Sequence, residues 1–113
     1  MKPKVAVLLA DMLESALSIK EYTSGIKMYN DFIARKIVLR AVEKELEIIA
    51  EALIKIEKEN YTLNISAKRQ IIGLRNRIVH DYSNTNYEII WGVVYNHLDV
   101  LILEIKSEIS KFE

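Results

Sequence analysis

Hydrophobic residues recur at every third or fourth position through most of this chain, and period-two alternation is hard to find. The first stripe, Val5, Leu8, Leu9, Met12, Leu13, Ala16 and Ile19, predicts an amphipathic helix over residues 3–22. Thr23, Ser24 and Gly25 then read as a stop, with Gly25 placed to take a left-handed cap conformation. Asn30 or Asp31 is the natural N-cap of a second helix over 32–60. Its stripe runs from Phe32 and Ile33 through Ile37, Val38, Val42, Leu46, Ile49 and Leu53 to Ile56. At roughly 1.5 Å per residue this helix would span about 40 Å, the longest element of the molecule. A third helix begins near Ser66. A fourth follows to about Phe112, opened by a capping box with Thr85 at the cap and Glu88 three residues on.

Four helices joined by short connections imply antiparallel neighbours, so the expected fold is all-α, an up-and-down four-helix bundle. The 113 residues suit a single helical domain over 1–113, with one core and no second. Leu98, Val100, Leu101, Ile102, Leu103 and Ile105 are too many for one narrow stripe. Excess apolar surface on a small bundle predicts a homodimer, the alternative being a last helix more deeply buried than its neighbours.

Composition narrows the chemistry. Sixteen Lys and Arg cancel sixteen Asp and Glu, so overall charge exerts no pull toward nucleic acid or anionic membrane. Any RNA binding must use a local patch, and one exists: between residues 55 and 77 stand six Lys or Arg against two Glu. The absence of cysteine removes disulfides, thiolate chemistry and Cys-based zinc sites. Two histidines, His80 and His97, are too few and too far apart to read as a metal site, and no cofactor is expected. No apolar run approaches the ~18 residues of a membrane span, which makes a soluble, cytoplasmic protein with no membrane contact the expectation.

Candidate chemistry concentrates in Gly73-Leu74-Arg75-Asn76-Arg77-Ile78-Val79-His80-Asp81-Tyr82. On a straight helix turning about 100° per residue, Arg75 falls in the middle of an apolar stripe formed by Ile71, Ile72, Ile78 and Val79. Tyr82 returns to the face of Arg75, whereas Asn76 and His80 share a second face with Arg69. Arg77 and Asp81, four apart, read as a surface ion pair. Arg75 and His80 lie about 140° apart. They would meet at one phosphate only if the helix bends or ends near Val79, or if two copies of the motif meet across a dimer axis.

Arg, His and Asn together suit phosphate-ester chemistry. Arginine offers a rigid fork of donors to phosphate oxygens. A histidine titrating near neutrality can take or deliver a proton, and an asparagine can hold the phosphate or orient the imidazole. Without metal ligands, such a site would cleave RNA by activating the ribose 2′-hydroxyl against its own phosphate, leaving a 2′,3′-cyclic phosphate. Against this stand simpler readings. A lone Arg on an apolar face more often answers a glutamate of a neighbouring helix, here Glu43, Glu47 or Glu51. A lone His is more often structural, and His97 reads so.

The spacing Arg75-x4-His80-x-Tyr82, with Gly73-Leu74 before it and Asn76 after the arginine, resembles the signature of the HEPN superfamily, in particular its HepT-like branch. Leu46 to Ala52 in the second helix and Asn86 to Trp91 opening the fourth resemble blocks of that branch at corresponding places. Ala50 stands where the block carries glycine, and the Pro-Trp pair often found before the motif is absent. The resemblance implies a dimerising helical bundle whose two Arg-x4-His motifs form one composite site. It further implies a metal-independent endoribonuclease, the toxin of a toxin–antitoxin pair. The implied antitoxin is a minimal nucleotidyltransferase of the MntA type that neutralises it by transferring AMP to the motif tyrosine. Carried over, Arg75 and His80 are catalytic, Asn76 supports the site, and Tyr82 takes the AMP. Separately from the resemblance, Arg69 and Arg77 on the same helix are candidate substrate-binding residues.

Overall fold

The computed structural model describes residues 3–80 and 86–113, and every element among them is an α-helix. There are five: α1 (Pro3–Tyr22), α2 (Tyr29–Ala34), α3 (Lys36–Lys58), α4 (Lys68–His80) and α5 (Tyr87–Ser110). α1 follows its stripe, with Val5, Leu9, Met12, Ala16 and Ile19 fully buried. It stops where expected. The Thr23 amide and hydroxyl both donate to the Ile19 carbonyl, at 3.0 and 2.8 Å, and Gly25 takes φ +82.

The long second helix of the sequence reading is broken in two. Arg35, at φ −100 and ψ 82, leaves the helical region and separates α2 from α3. Neither Asn30 nor Asp31 caps the first piece: both lie within α2, whose N-cap is Met28 without a side-chain cap bond. Packing explains the break. Phe32 is fully buried and stacks on Trp91 of α5 at 5.0 Å between ring centroids, while Ile33 and Ile37, which a continuous stripe would bury, are exposed. The short α2 is turned to send one aromatic ring to α5.

α3 packs most extensively on α1 and next on α4, and α1 also packs on α5; α4 touches α5 only slightly among the described residues. Leu39, Val42, Leu46, Ile49, Leu53 and Ile56 carry the core along α3. Asn60, at φ +58, ends this helix in the left-handed conformation that asparagine tolerates. From there to α4 the chain buries Leu63, Ile65 and Ala67 and exposes Thr62, Asn64 and Ser66, an alternation of period two in an extended strap. The strap is tied down at both ends. Tyr61 packs on Phe112 at 5.6 Å, and Ser66 donates its amide and hydroxyl to the Glu104 carboxylate at 3.1–3.2 Å.

The cap of α5 is Asn86, whose side-chain oxygen accepts from the amides of Glu88 and Ile89 at 3.0 and 3.2 Å. The sequence reading placed this cap at Thr85, which lies outside the described residues. Of the crowded apolar positions on α5, Leu98, Leu101, Ile102 and Ile105 enter the core of the chain itself, and Val100 and Leu103 are exposed. No helix among the described residues is long and apolar enough to cross a membrane.

Candidate functional site

α4 carries most of the candidate residues, and its core-facing strip is narrower than the sequence suggests. Ile71 and Leu74 are buried, as is Ala67 just before the helix, whereas Ile72 is only partly so. Because α4 leans on α3 and barely on α5, Arg75 lies at the rim of the packed face and not at its centre. Its Nε donates to Glu51 Oε1 at 2.5 Å and its Nη1 donates to Asn76 Oδ1 at 3.0 Å. Glu51, of the three glutamates the sequence offered, is the one that answers. Glu43 is buried, and its Oε1 has no hydrogen-bond partner among the described residues; burial first, and then the Glu43 carboxylate, raise the Tyr87 phenol above its ordinary value. Glu47 is half-exposed.

The Arg75–Glu51 pair is not a buried one. The Arg75 side chain is 24% exposed and that of Glu51 38%, so the pair contributes about 1 kcal/mol or less to stability. A guanidinium has five N–H donors. Two are engaged here, and no other described residue takes the remaining three.

Sequence geometry sets Arg75 with Tyr82 on one face and Asn76 with His80 on another, with a bend or end near Val79 or a second protomer needed to bring Arg75 and His80 to one phosphate. Arg75 and Asn76 themselves meet directly on α4. Arginine is long enough to reach sideways to the neighbouring amide, which leaves the Asn76 Nδ2 group as a donor. The α4 backbone remains helical through position 80, one turn past Asn76. The His80 side chain, Asp81 and Tyr82 lie outside the described residues, and with them the candidate proton carrier, the Arg77–Asp81 pair and the candidate AMP acceptor. His97 is half-buried on α5.

Arg69 and Arg77 stand two turns apart with Gly73 midway between them. Together with Gln70, Leu74 and Ile89 they line an open groove of about 230 Å³. A Cβ at Gly73 would meet nothing within 4 Å, so the glycine leaves open space between the two arginines. Neither arginine pairs with a carboxylate among the described residues, whereas Lys68 is held by Glu57 at 2.6 Å. Arg77 is about 200° around the helix from Arg75, so the structure groups Arg69 with Arg77 and leaves Arg75 with Asn76 and Glu51. Gln70 is not among the candidate residues of the sequence, and Ile89, whose place in the stripe of the last helix predicts an inward side chain, is instead exposed at the groove. The signal for the groove was a glycine bracketed by arginines four residues to either side.

Residues 12–108 match the family model described as Ribonuclease HepT-like. The chain belongs to the HepT-like ribonuclease family. Similar proteins include one from Methanocaldococcus jannaschii, 38% identical, the match covering 82% of this chain and 85% of that protein. A second from the same organism is 32% identical over 99% of this chain and 93% of its own length. A third, from Caldanaerobacter subterraneus subsp. tengcongensis, is 29% identical over 91% and 92%. All three bear the name "Putative RNase". No solved structure matches the chain. The match to the HepT-like model takes in α3, α4 and nearly all of α5, and therefore Glu51, the Arg75 site and the Arg69–Arg77 groove.

Proposed function

We propose that this protein is a metal-independent endoribonuclease, the toxin of a toxin–antitoxin pair, and that it acts in the cytoplasm as a homodimer. The observation that carries the reading is the Arg75 guanidinium, held at two points and with three N–H donors that no other described residue takes, in a chain of the HepT-like family. Such a group can hold the non-bridging oxygens of a phosphodiester and stabilise the charge that gathers there in the transition state. His80, in neutral form, takes the proton of the ribose 2′-hydroxyl. The 2′-oxygen attacks phosphorus and the bond to the 5′-oxygen breaks. A protonated His80 from the second protomer delivers a proton to the leaving oxygen. The products are a 2′,3′-cyclic phosphate and a 5′-hydroxyl. Arg69 and Arg77, flanking their groove, suit the neighbouring phosphates of the same strand. The four longer helices would form the up-and-down bundle, and Val100 and Leu103, exposed on α5, supply apolar surface for the dimer.

Purified protein incubated with RNA in excess EDTA should cut it, leaving cyclic-phosphate and 5′-hydroxyl ends that end-specific labelling detects. RNA left intact, or cut only on addition of a divalent cation, contradicts the reading.

The partner is a minimal nucleotidyltransferase of the MntA type, which transfers AMP to the Tyr82 hydroxyl. A phosphodiester anchored on the same motif would compete with RNA for Arg75 and block the site sterically. Intact-mass spectrometry of protein made with and without the transferase should differ by one or more AMP groups, and Tyr82→Phe should abolish the difference. An unmodified mass in the presence of an active transferase counts against this regulation.

One observation favours a second reading, a non-catalytic helical module that binds the nucleotidyltransferase. Glu51 already offsets the charge of Arg75. Protein that leaves RNA intact yet co-purifies with the transferase would support that reading.

A further inference from the structure

We infer that Glu51 is a positioning residue, which fixes the Arg75 guanidinium so that its Nη edge, and not its Nε side, meets the scissile phosphate. The inference rests on the ribonuclease reading and assigns a task to a residue outside the Arg-x4-His spacing. A guanidinium is planar and can present two edges to an anion, the side that includes Nε or the end formed by the two Nη groups. Glu51 Oε1 occupies Nε at 2.5 Å and removes the first. Asn76 Oδ1 takes one hydrogen of Nη1 at 3.0 Å. Two contacts in different directions fix the plane of the group, and among the described residues one N–H on Nη1 and both on Nη2 are left for an incoming anion.

Two alternatives for Glu51 fare worse. As a stabilising ion pair it would achieve little, because both side chains are partly open to water. As an aid to RNA binding it has the wrong sign, since a carboxylate beside an anion site weakens attraction. Orientation is what remains. A flexible arginine must be ordered as the reaction proceeds, whereas one already clamped is pre-set for the transition state. Location agrees: Glu51 stands between Ala50 and Ala52, both buried, on the helix against which α4 chiefly packs.

Glu51→Ala, Glu51→Gln and Arg75→Ala should be compared in RNA cleavage with kcat and KM separated, and with thermal melting to follow the fold. Glu51→Ala is expected to lower kcat by about 10- to 100-fold. KM should change less than kcat, because losing the negative charge favours anion binding while losing the clamp opposes it. Glu51→Gln keeps an acceptor oxygen for Nε and should recover most of the lost kcat. A Glu51→Ala enzyme with wild-type kcat beside an inactive Arg75→Ala overturns this inference and leaves the ribonuclease reading intact. So does a rise in kcat/KM, which would make Glu51 a competitor of phosphate. A lower melting temperature with an unchanged rate per folded molecule would make the pair structural and has the same force. A fully active Arg75→Ala instead brings down the ribonuclease reading at this site.

A second measurement does not depend on the Glu51→Ala fold. Guanidinium ion added to Arg75→Ala should restore part of the rate, seated between Glu51 and Asn76. Adding Glu51→Gln to that background should raise the guanidinium concentration needed for half-maximal rescue, because an untethered cation relies on the carboxylate charge to bind, which the tethered Arg75 side chain does not. No rescue, or rescue indifferent to residue 51, overturns the positioning role.

Discussion

Arg75→Ala should reduce single-turnover RNA cleavage by about 10³-fold, the upper part of the range for losing one pre-set donor group at a developing charge. The structure adds two conditions. Arg75→Lys should fare almost as badly, since an ammonium on a flexible stem cannot bond Glu51 and Asn76 while offering two parallel donors to phosphate. Both variants should melt within a few degrees of the parent, because the ion pair they lose is partly exposed. Quenched-flow or gel-based cleavage together with a circular-dichroism melt decides the matter. A lysine variant near full activity would mean that only the charge at position 75 is used.

The second large effect concerns stability. Phe32→Ala should cost about 4 kcal/mol, the scale for truncating a fully buried aromatic side chain. For a chain of this size that lowers the melting temperature by about 15 °C or more. Ile37→Ala, five residues further along the stripe that periodicity drew as continuous, should change stability by no more than about 0.5 kcal/mol, since Ile37 is 87% exposed. Equal losses at the two positions would mean that the chain runs through Arg35 as one helix in solution.

That contrast also marks where the sequence stopped being legible. α1, its glycine stop and the stripe of α3 from Leu39 onward follow from periodicity, because a helix packed along one side repeats its buried positions faithfully. Arg35 carried no warning. It is neither glycine nor proline, and the break answers a contact with Trp91 nearly sixty residues away. The rim position of Arg75 was hidden for a related reason. Ile71 and Ile72 look alike in a helical wheel, but only one of them is needed to meet α3 when α5 covers so little of α4. Glu51 could be named as one of three carboxylates a helical repeat apart. Choosing among them required the axial offset of α4 against α3, which no local pattern encodes. Leu63, Ile65 and Ala67 were legible in principle, as an alternation too short to stand out beside the helices.

The strap that carries those three residues has the character of a ruler. Its side chains enter the core on alternate positions, so adding or removing one residue would turn every one of them outward. Ser66, clasped by Glu104, pins the end from which α4 rises. A fixed origin and a rise of about 1.5 Å per residue then determine how high on α3 each side chain of α4 arrives. The meeting of Arg75 with Glu51 is thus measured out from the other end of α4, by a segment that contributes no atom to that pair.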